Sequence, residues 1–406
     1  MKKVLTRILI VIVSLVAILY ISVFVGHHYI FKAPYSDVPT VKAIEQEGFT
    51  FGAASIKQPS TFDAYVQVAA KQVKNYQEHI ESFWPNNPEK NQYLLIQNLK
   101  DKQSVLVTPK GEIQTLSKNE FKKYNVGFGL NTEGQWAPIQ SNGISGAYIG
   151  VIPENLSNYY SFQKYEHLGT YDQFLSYSHE LFHSITQERW AGAKLTVEAQ
   201  SDRDERFEDS QARHTRMLLQ QQLKNAIADE KQREEFTLAA LRTYQTYQRE
   251  NKEDFQQSKL GDRLEGTAYY YELVSSLYAG YPEQIQSQAD VYKGLGILLA
   301  NDNPAYRNTG LTSEGYGVGG YAGILLDLIA IEKNENPNQW KKIIEEDENV
   351  STISLLEKAY SEKELPKQEE IPSEADYRKW QNENDDISPS SSKTTIIFDV
   401  LYGLLF

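Results

Sequence analysis

Ser178-His179-Glu180-Leu181-Phe182-His183-Ser184-Ile185-Thr186-Gln187 is the stretch from which the rest of the chain can be read. His179, Glu180 and His183 form His-Glu-x-x-His, which on a helix puts two imidazoles on one face with a carboxylate beside them. Residues four apart in an α-helix lie about 6 Å from each other, so both rings can reach one zinc ion at about 2.0 to 2.1 Å. Glu180 then stands next to the open coordination position, where it can take a proton from water. The pattern needs a helical context. Thr170-Tyr171-Asp172 supplies a cap, and Phe174, Leu175, Leu181, Phe182 and Ile185 supply a buried side for a helix running through about Trp190.

What surrounds the motif limits the chemistry. The chain has 406 residues with 40% hydrophobic and 12% aromatic side chains, enough for a sizeable core. It has no cysteine, which excludes disulfides, thiolate ligands, a cysteine nucleophile and a lipid-modified cysteine. A net charge of −13 argues against nucleic acid as a partner, because phosphate binding needs clustered Lys and Arg. Gly317-x-Gly319-Gly320 does not follow a strand in a βαβ unit, so it is not a dinucleotide fingerprint, and there is no Gly-x-Ser-x-Gly elbow.

The N-terminus predicts a compartment. Lys2, Lys3 and Arg7 precede an apolar run from Ile8 to Val25, and residues 4–25 come close to the roughly 20 that span a bilayer. The exit Val23-Phe24-Val25-Gly26-His27-His28 lacks a small-x-small cleavage site, so an uncleaved anchor is expected. The basic side belongs in the cytoplasm, which makes this a single-pass protein of the cell membrane with its main domain outside.

Residues 1–32 are therefore read as the anchor and 33–60 as a stalk. A folded domain over 61–365 divides into helix plus sheet (61–169) and a mainly helical part (170–365), and 366–406 is a polar tail ending in an apolar segment. In the first part, Phe62 to Phe83 has apolar residues at helical spacing, and Trp84-Pro85-Asn86-Asn87-Pro88 stops it. Tyr93–Gln97, Ser104–Thr108 and Gly143–Glu154 read as strands of a small antiparallel or mixed sheet. The last of them lies just before the motif, where residues 148–151 could receive a substrate backbone by strand addition. Downstream, helices are expected over Ala212–Ala228, Glu234–Arg249, Leu260–Tyr281, Ile324–Ile331, Gln339–Glu345 and Val350–Tyr360. Asn303–Gly323, rich in Gly and Tyr, reads as a connection. The fold class is α+β.

The third metal ligand separates subclasses. A metzincin would carry Gly and His three and six residues after His183, where this chain has Thr186 and Arg189. Leu264-Glu265-Gly266-Thr267-Ala268-Tyr269-Tyr270-Tyr271-Glu272 resembles the Glu-Gly-x-Ala-x-Tyr element of gluzincin peptidases. The resemblance implies a zincin-like fold, with Glu265 as third ligand to Zn²⁺ and a peptide or protein as substrate. Glu265 follows His183 by 82 residues, farther than in thermolysin-like and aminopeptidase-like gluzincins, with a helical insertion in the gap. Glu272 is the alternative ligand, or a group that orients an imidazole if Glu265 binds the metal. Asp202, Glu205 and Glu208 sit at the shorter spacing, in a charged run that reads as a solvated face. Gly315 to Leu326 is faintly similar to the Tyr-x-x-Gly stretch of aminopeptidase-like gluzincins. Tyr316, Tyr321 and His214 are accordingly candidates to stabilise an oxyanion. The expected activity is that of a zinc metallopeptidase with Glu180 as general base. The alternative is a noncatalytic cell-surface binding or assembly protein stabilised by zinc.

Overall fold

A computed structural model of the chain describes residues 16, 18–23, 43–52, 61–126, 136–151, 166–170, 172–192, 210–301 and 313–385. The fold is α+β, with a small N-terminal sheet followed by a mainly helical part. Within the expected anchor, residues 16 and 18–23 are helical, and Val16, Ile18, Leu19, Tyr20 and Ile21 present exposed side chains. Among the described residues no helix is long and apolar enough to cross a membrane. Asp202, Glu205, Glu208 and the apolar segment 395–406 lie outside the described residues.

Folding starts earlier than the stalk reading allowed. β1 (Ile44–Gln46) and β2 (Phe49–Phe51) pair antiparallel around Glu47-Gly48, both at positive φ (53° and 87°), the backbone a two-residue hairpin needs. Phe51 is fully buried, with its ring 5.0 Å from that of Tyr281, while Gly52 N–H donates to the Tyr281 hydroxyl. The hairpin thereby belongs to the core.

α1 (Phe62–Phe83) matches its expected span. Thr61 caps it by accepting from the Ala64 N–H, and Val73, Tyr76, Ile80 and Phe83 are fully buried on one side. The sheet runs β5 (Ile113–Leu116), β4 (Ser104–Val107), β3 (Tyr93–Asn98), β7 (Ile144–Val151), β6 (Trp136–Ser141). It is mixed: β3 and β7 are parallel, the other neighbours antiparallel. Side chains alternate between faces. Leu94, Ile96, Val105, Val107, Ala147, Ile149 and Val151 enter the main core, whereas Leu95, Leu106, Ile139 and Tyr148 join Leu116 and Tyr124 in a second cluster on the other face. Tyr148 and Ile149 have strand partners on both sides, Leu95 and Ile96 from β3, Ala137 and Trp136 from β6. Their backbone is thus already paired, and strand addition at those two residues is closed.

α2 (Asp172–Leu181) carries the motif and packs beside β7. α3 (Ser210–Ala228), α4 (Arg233–Glu250), α5 (Lys252–Gly280), α6 (Gln288–Ala300), α7 (Glu314–Glu332), α8 (Gln339–Glu346) and α9 (Thr352–Ala359) follow. The axis of this part is α5, buried on all its faces between Gly261 and Ala279. A buried ion network ties α3, α5 and α7 together. Arg213 and Arg216 meet Glu314 at 2.6 and 2.9 Å, Arg213 also binds Asp254, and Arg216 binds Asp262 at 2.5 Å.

Two stretches differ from their sequence reading. Residues 314–323, read as connection, form the first half of α7. Here glycine permits contact instead of breaking the helix: a Cβ on Gly319 would stand 2.0 Å from the Asp262 carbonyl, and one on Gly266 would stand 2.4 Å from the Gly319 Cα. The tail contains α10 (Glu374–Asp385), whose Tyr377 and Trp380, three apart, pack on Met217 of α3. α6, capped by a Ser287–Asp290 box, was not expected from the sequence.

Candidate metal centre

His179 and Glu180 sit near the end of α2, and the helix then changes pitch. Phe182–Thr186 is a π-turn, with Gln187 N–H donating to the Phe182 carbonyl five residues back, and Gln187–Arg189 closes as a 3₁₀ turn. The uninterrupted helix expected through Trp190 is therefore an α-helix widened after Leu181. The Ser184 hydroxyl donates to the Glu180 carbonyl at 2.9 Å and supports the widened turn.

Across from this turn, α5 brings Glu265. Its Oε2 lies 3.5 Å from His179 Nε2 and 3.2 Å from His183 Nε2, and the two Nε2 atoms are 3.0 Å apart. Ligand atoms about 2.05 Å from a tetrahedral ion are separated by about 3.3 Å, so the three edges fit one ion of zinc's bond length. His179, His183 and Glu265 form the one His/Cys/Asp/Glu group able to hold a metal found among the described residues. The side chains of His179 and Glu265 are 8% and 11% exposed and that of His183 26%, so the group opens to solvent on the His183 side.

Hydrogen bonds behind the rings define what each nitrogen presents. Gln187 Nε2 donates to the Leu264 carbonyl and to Thr267 Oγ1, both at 2.8 Å. A carbonyl accepts only, which fixes the orientation of the amide. Gln187 Oε1, 2.7 Å from His183 Nδ1, must then accept from an Nδ1–H, leaving His183 Nε2 with its lone pair toward the group. His179 Nδ1 lies 3.0 Å from Glu272 Oε2, a carboxylate that again selects the Nδ1–H. Two imidazole lone pairs and a carboxylate oxygen converge, an arrangement that calls for a cation. Glu272, held open as a ligand or an orienting group, is on the far side of His179.

Without metal a proton serves. Burial opposes a charge on His179, yet its hydrogen bonds to Glu265 and Glu272 raise its pKa from 6.5 to about 10. Burial likewise works against the Glu265 carboxylate, and the two histidines hold its pKa well below the ordinary range. Since a folded pKa above 6.5 favours folding below that pH and loses its contribution on the way to about 10, the metal-free chain should be more stable at pH 6 than at pH 9. Metal must displace this proton. Zinc affinity should therefore rise with pH by up to about tenfold per unit, and calorimetry in buffers of different ionisation enthalpy should show about one proton released at pH 7.5. Affinity flat from pH 6 to 9 would contradict this.

Tyr316 reaches the group from α7. Its ring stacks on His179 with centroids 5.3 Å apart and planes at 5°. Burial, then the adjacent Glu265 carboxylate to which it hydrogen-bonds, drives the Tyr316 pKa up, so the hydroxyl stays protonated as a donor. Glu180, half-buried, also contributes to the field at that hydroxyl. The other two oxyanion candidates are engaged elsewhere. Tyr321 is buried against Tyr269, and His214 Nε2 pairs with Glu374 of α10 at 2.9 Å beside Tyr377. Gln187 was missed by the sequence reading, although its position four residues after the second histidine was the available signal.

No protein-family model, no curated protein and no solved structure gives a significant match to the chain.

Proposed function

We propose that the chain is a gluzincin-like zinc metallopeptidase, held at the cell membrane by residues 4–25 with its main domain outside. The observation that carries the reading is the convergence of His179, His183 and Glu265 acceptor atoms within 3.0 to 3.5 Å, with Glu180 next in sequence to His179. The residues fit zinc in type, number and spacing. Bound zinc would supply Lewis acidity, polarising a substrate carbonyl and lowering the pKa of a water to about 7.

The chain contributes positioning and proton transfer. Glu272 and Gln187 keep both imidazoles in the Nδ1–H form. Glu180 takes a proton from the attacking water as its oxygen bonds to the peptide carbonyl carbon, then delivers that proton to the amine as the C–N bond breaks. Tyr316 stands within the group as a protonated donor.

The test is zinc content and peptide cleavage by the purified chain. Glu180→Gln should keep its zinc and lose about 10²- to 10⁴-fold in rate, the usual worth of a general base. A chain that holds one zinc, cleaves no peptide library and is indifferent to Glu180→Gln would be the noncatalytic zinc-stabilised protein instead.

A further inference from the structure

Behind the metal group is a second buried acid, which none of the proposed chemistry uses. Glu89, in the segment joining α1 to β3, is fully buried, and its hydrogen-bond partners are neutral. Its Oε2 accepts from the Tyr76 hydroxyl and its Oε1 from the Thr186 hydroxyl, each at 2.7 Å. Tyr271 hydrogen-bonds the same carboxyl, and its hydroxyl also accepts from Asn87 Nδ2 at 2.8 Å. Burial raises the pKa of this carboxyl to about 7, the mark of an acid whose charge is poorly compensated.

The position of its partners is what gives Glu89 significance. Thr186 immediately precedes Gln187, which orients His183, and Tyr271 immediately precedes Glu272, which orients His179. One side chain thus grips the π-turn and α5 at the residues adjoining both imidazole partners. An apolar residue would fill the space without the desolvation cost, and a neutral amide has one acceptor oxygen where two are used.

We propose that Glu89 is a positioning residue for the metal group, fixing the relation of Gln187 to His183 and of Glu272 to His179 through Thr186 and Tyr271. The inference rests on the metal reading above and deepens it. A carboxyl outside the ligand set would set how tightly and in what geometry the metal is held.

Co²⁺ substitution in the full chain tests it, with Co²⁺ itself as probe. Glu89→Gln should weaken Co²⁺ binding by about 10- to 100-fold, the range found when partners of metal ligands are removed, and should shift the visible bands of the bound ion. Thr186→Val and Tyr271→Phe, milder changes to the fold, should each reproduce part of that shift. Tyr177→Phe, a buried change in the same aromatic cluster, should leave the bands unmoved. Unchanged Co²⁺ affinity and bands in all three variants, whatever their melting temperatures, would overturn the proposal. The metal-free chain offers an independent measurement through the ¹⁵N shifts of the imidazoles. The parent should show Nδ1–H on His183, and Thr186→Val a mixture of tautomers, whereas identical shifts in both would also overturn it. A parent that binds no Co²⁺ defeats the metal reading, and the imidazole shifts still decide the role of Glu89.

Discussion

Glu265→Ala should strip the chain of zinc. The substitution removes one of three converging ligand atoms, so the loss should exceed the about 10- to 100-fold that follows removal of an outer partner such as Glu272. Comparing Glu265→Ala with Glu272→Ala in one titration separates the two acids left open by sequence. In the structure Glu265 Oε2 faces both Nε2 atoms, at 3.5 and 3.2 Å, whereas Glu272 meets only the Nδ1 of His179. The ranking should therefore be parent, then Glu272→Ala, then Glu265→Ala with no tight binding. Equal zinc content in parent and Glu265→Ala would end the assignment. The two variants should also part in the metal-free state. Both remove a hydrogen bond that supports the His179 proton, and both should lower its pKa from about 10.

How much of this the sequence carried depends on the scale of the signal. His179, Glu180 and His183 were legible because one local period encodes their geometry, and Glu265 because its apolar, small-residue frame resembles a known element. The structure brings these four positions into one region, although 82 residues separate His183 from Glu265. Helices with a clear apolar stripe, such as Phe62–Phe83, were legible to the residue. Elements whose stripe is absent were not. α7 is buried over most of its length and rich in glycine, so its first half has neither periodicity nor propensity in its favour. The β1–β2 hairpin is three residues a side and depends on Tyr281, far along the chain. α10 is polar except for the aromatic pair that docks it. Gln187 and Glu89 are single polar residues, and only the partners brought by folding give them roles.

The glycines link the two halves of this account, because the crossing they permit sets the position of the site. Gly266 follows Glu265 directly, and Gly319 lies three residues after Tyr316 on the helix that crosses it. The chain could have used alanine, the better helix former, at either position, at a gain of about 1 kcal/mol in propensity. It cannot do so without moving backbone: a Cβ on Gly319 meets the Asp262 carbonyl at 2.0 Å and the Gly266 Cα at 2.7 Å, and neither is a side chain able to turn away. Gly319→Ala should therefore cost about 3 kcal/mol or more, toward the upper end of overpacking effects. Separating the helices would also draw Tyr316 off the His179 ring and shift Glu265 against the imidazoles, so zinc affinity should fall together with stability. Ile353→Ala in α9, a fully buried position in the same core, should cost a comparable 2 to 5 kcal/mol by leaving a cavity, without touching the crossing. Denaturant unfolding and zinc titration on both variants distinguish the mechanisms. If the glycine crossing sets the site, Gly319→Ala loses zinc affinity and Ile353→Ala keeps it at matched stability. Equal retention of zinc by both would mean that the close approach of α5 and α7 serves packing alone.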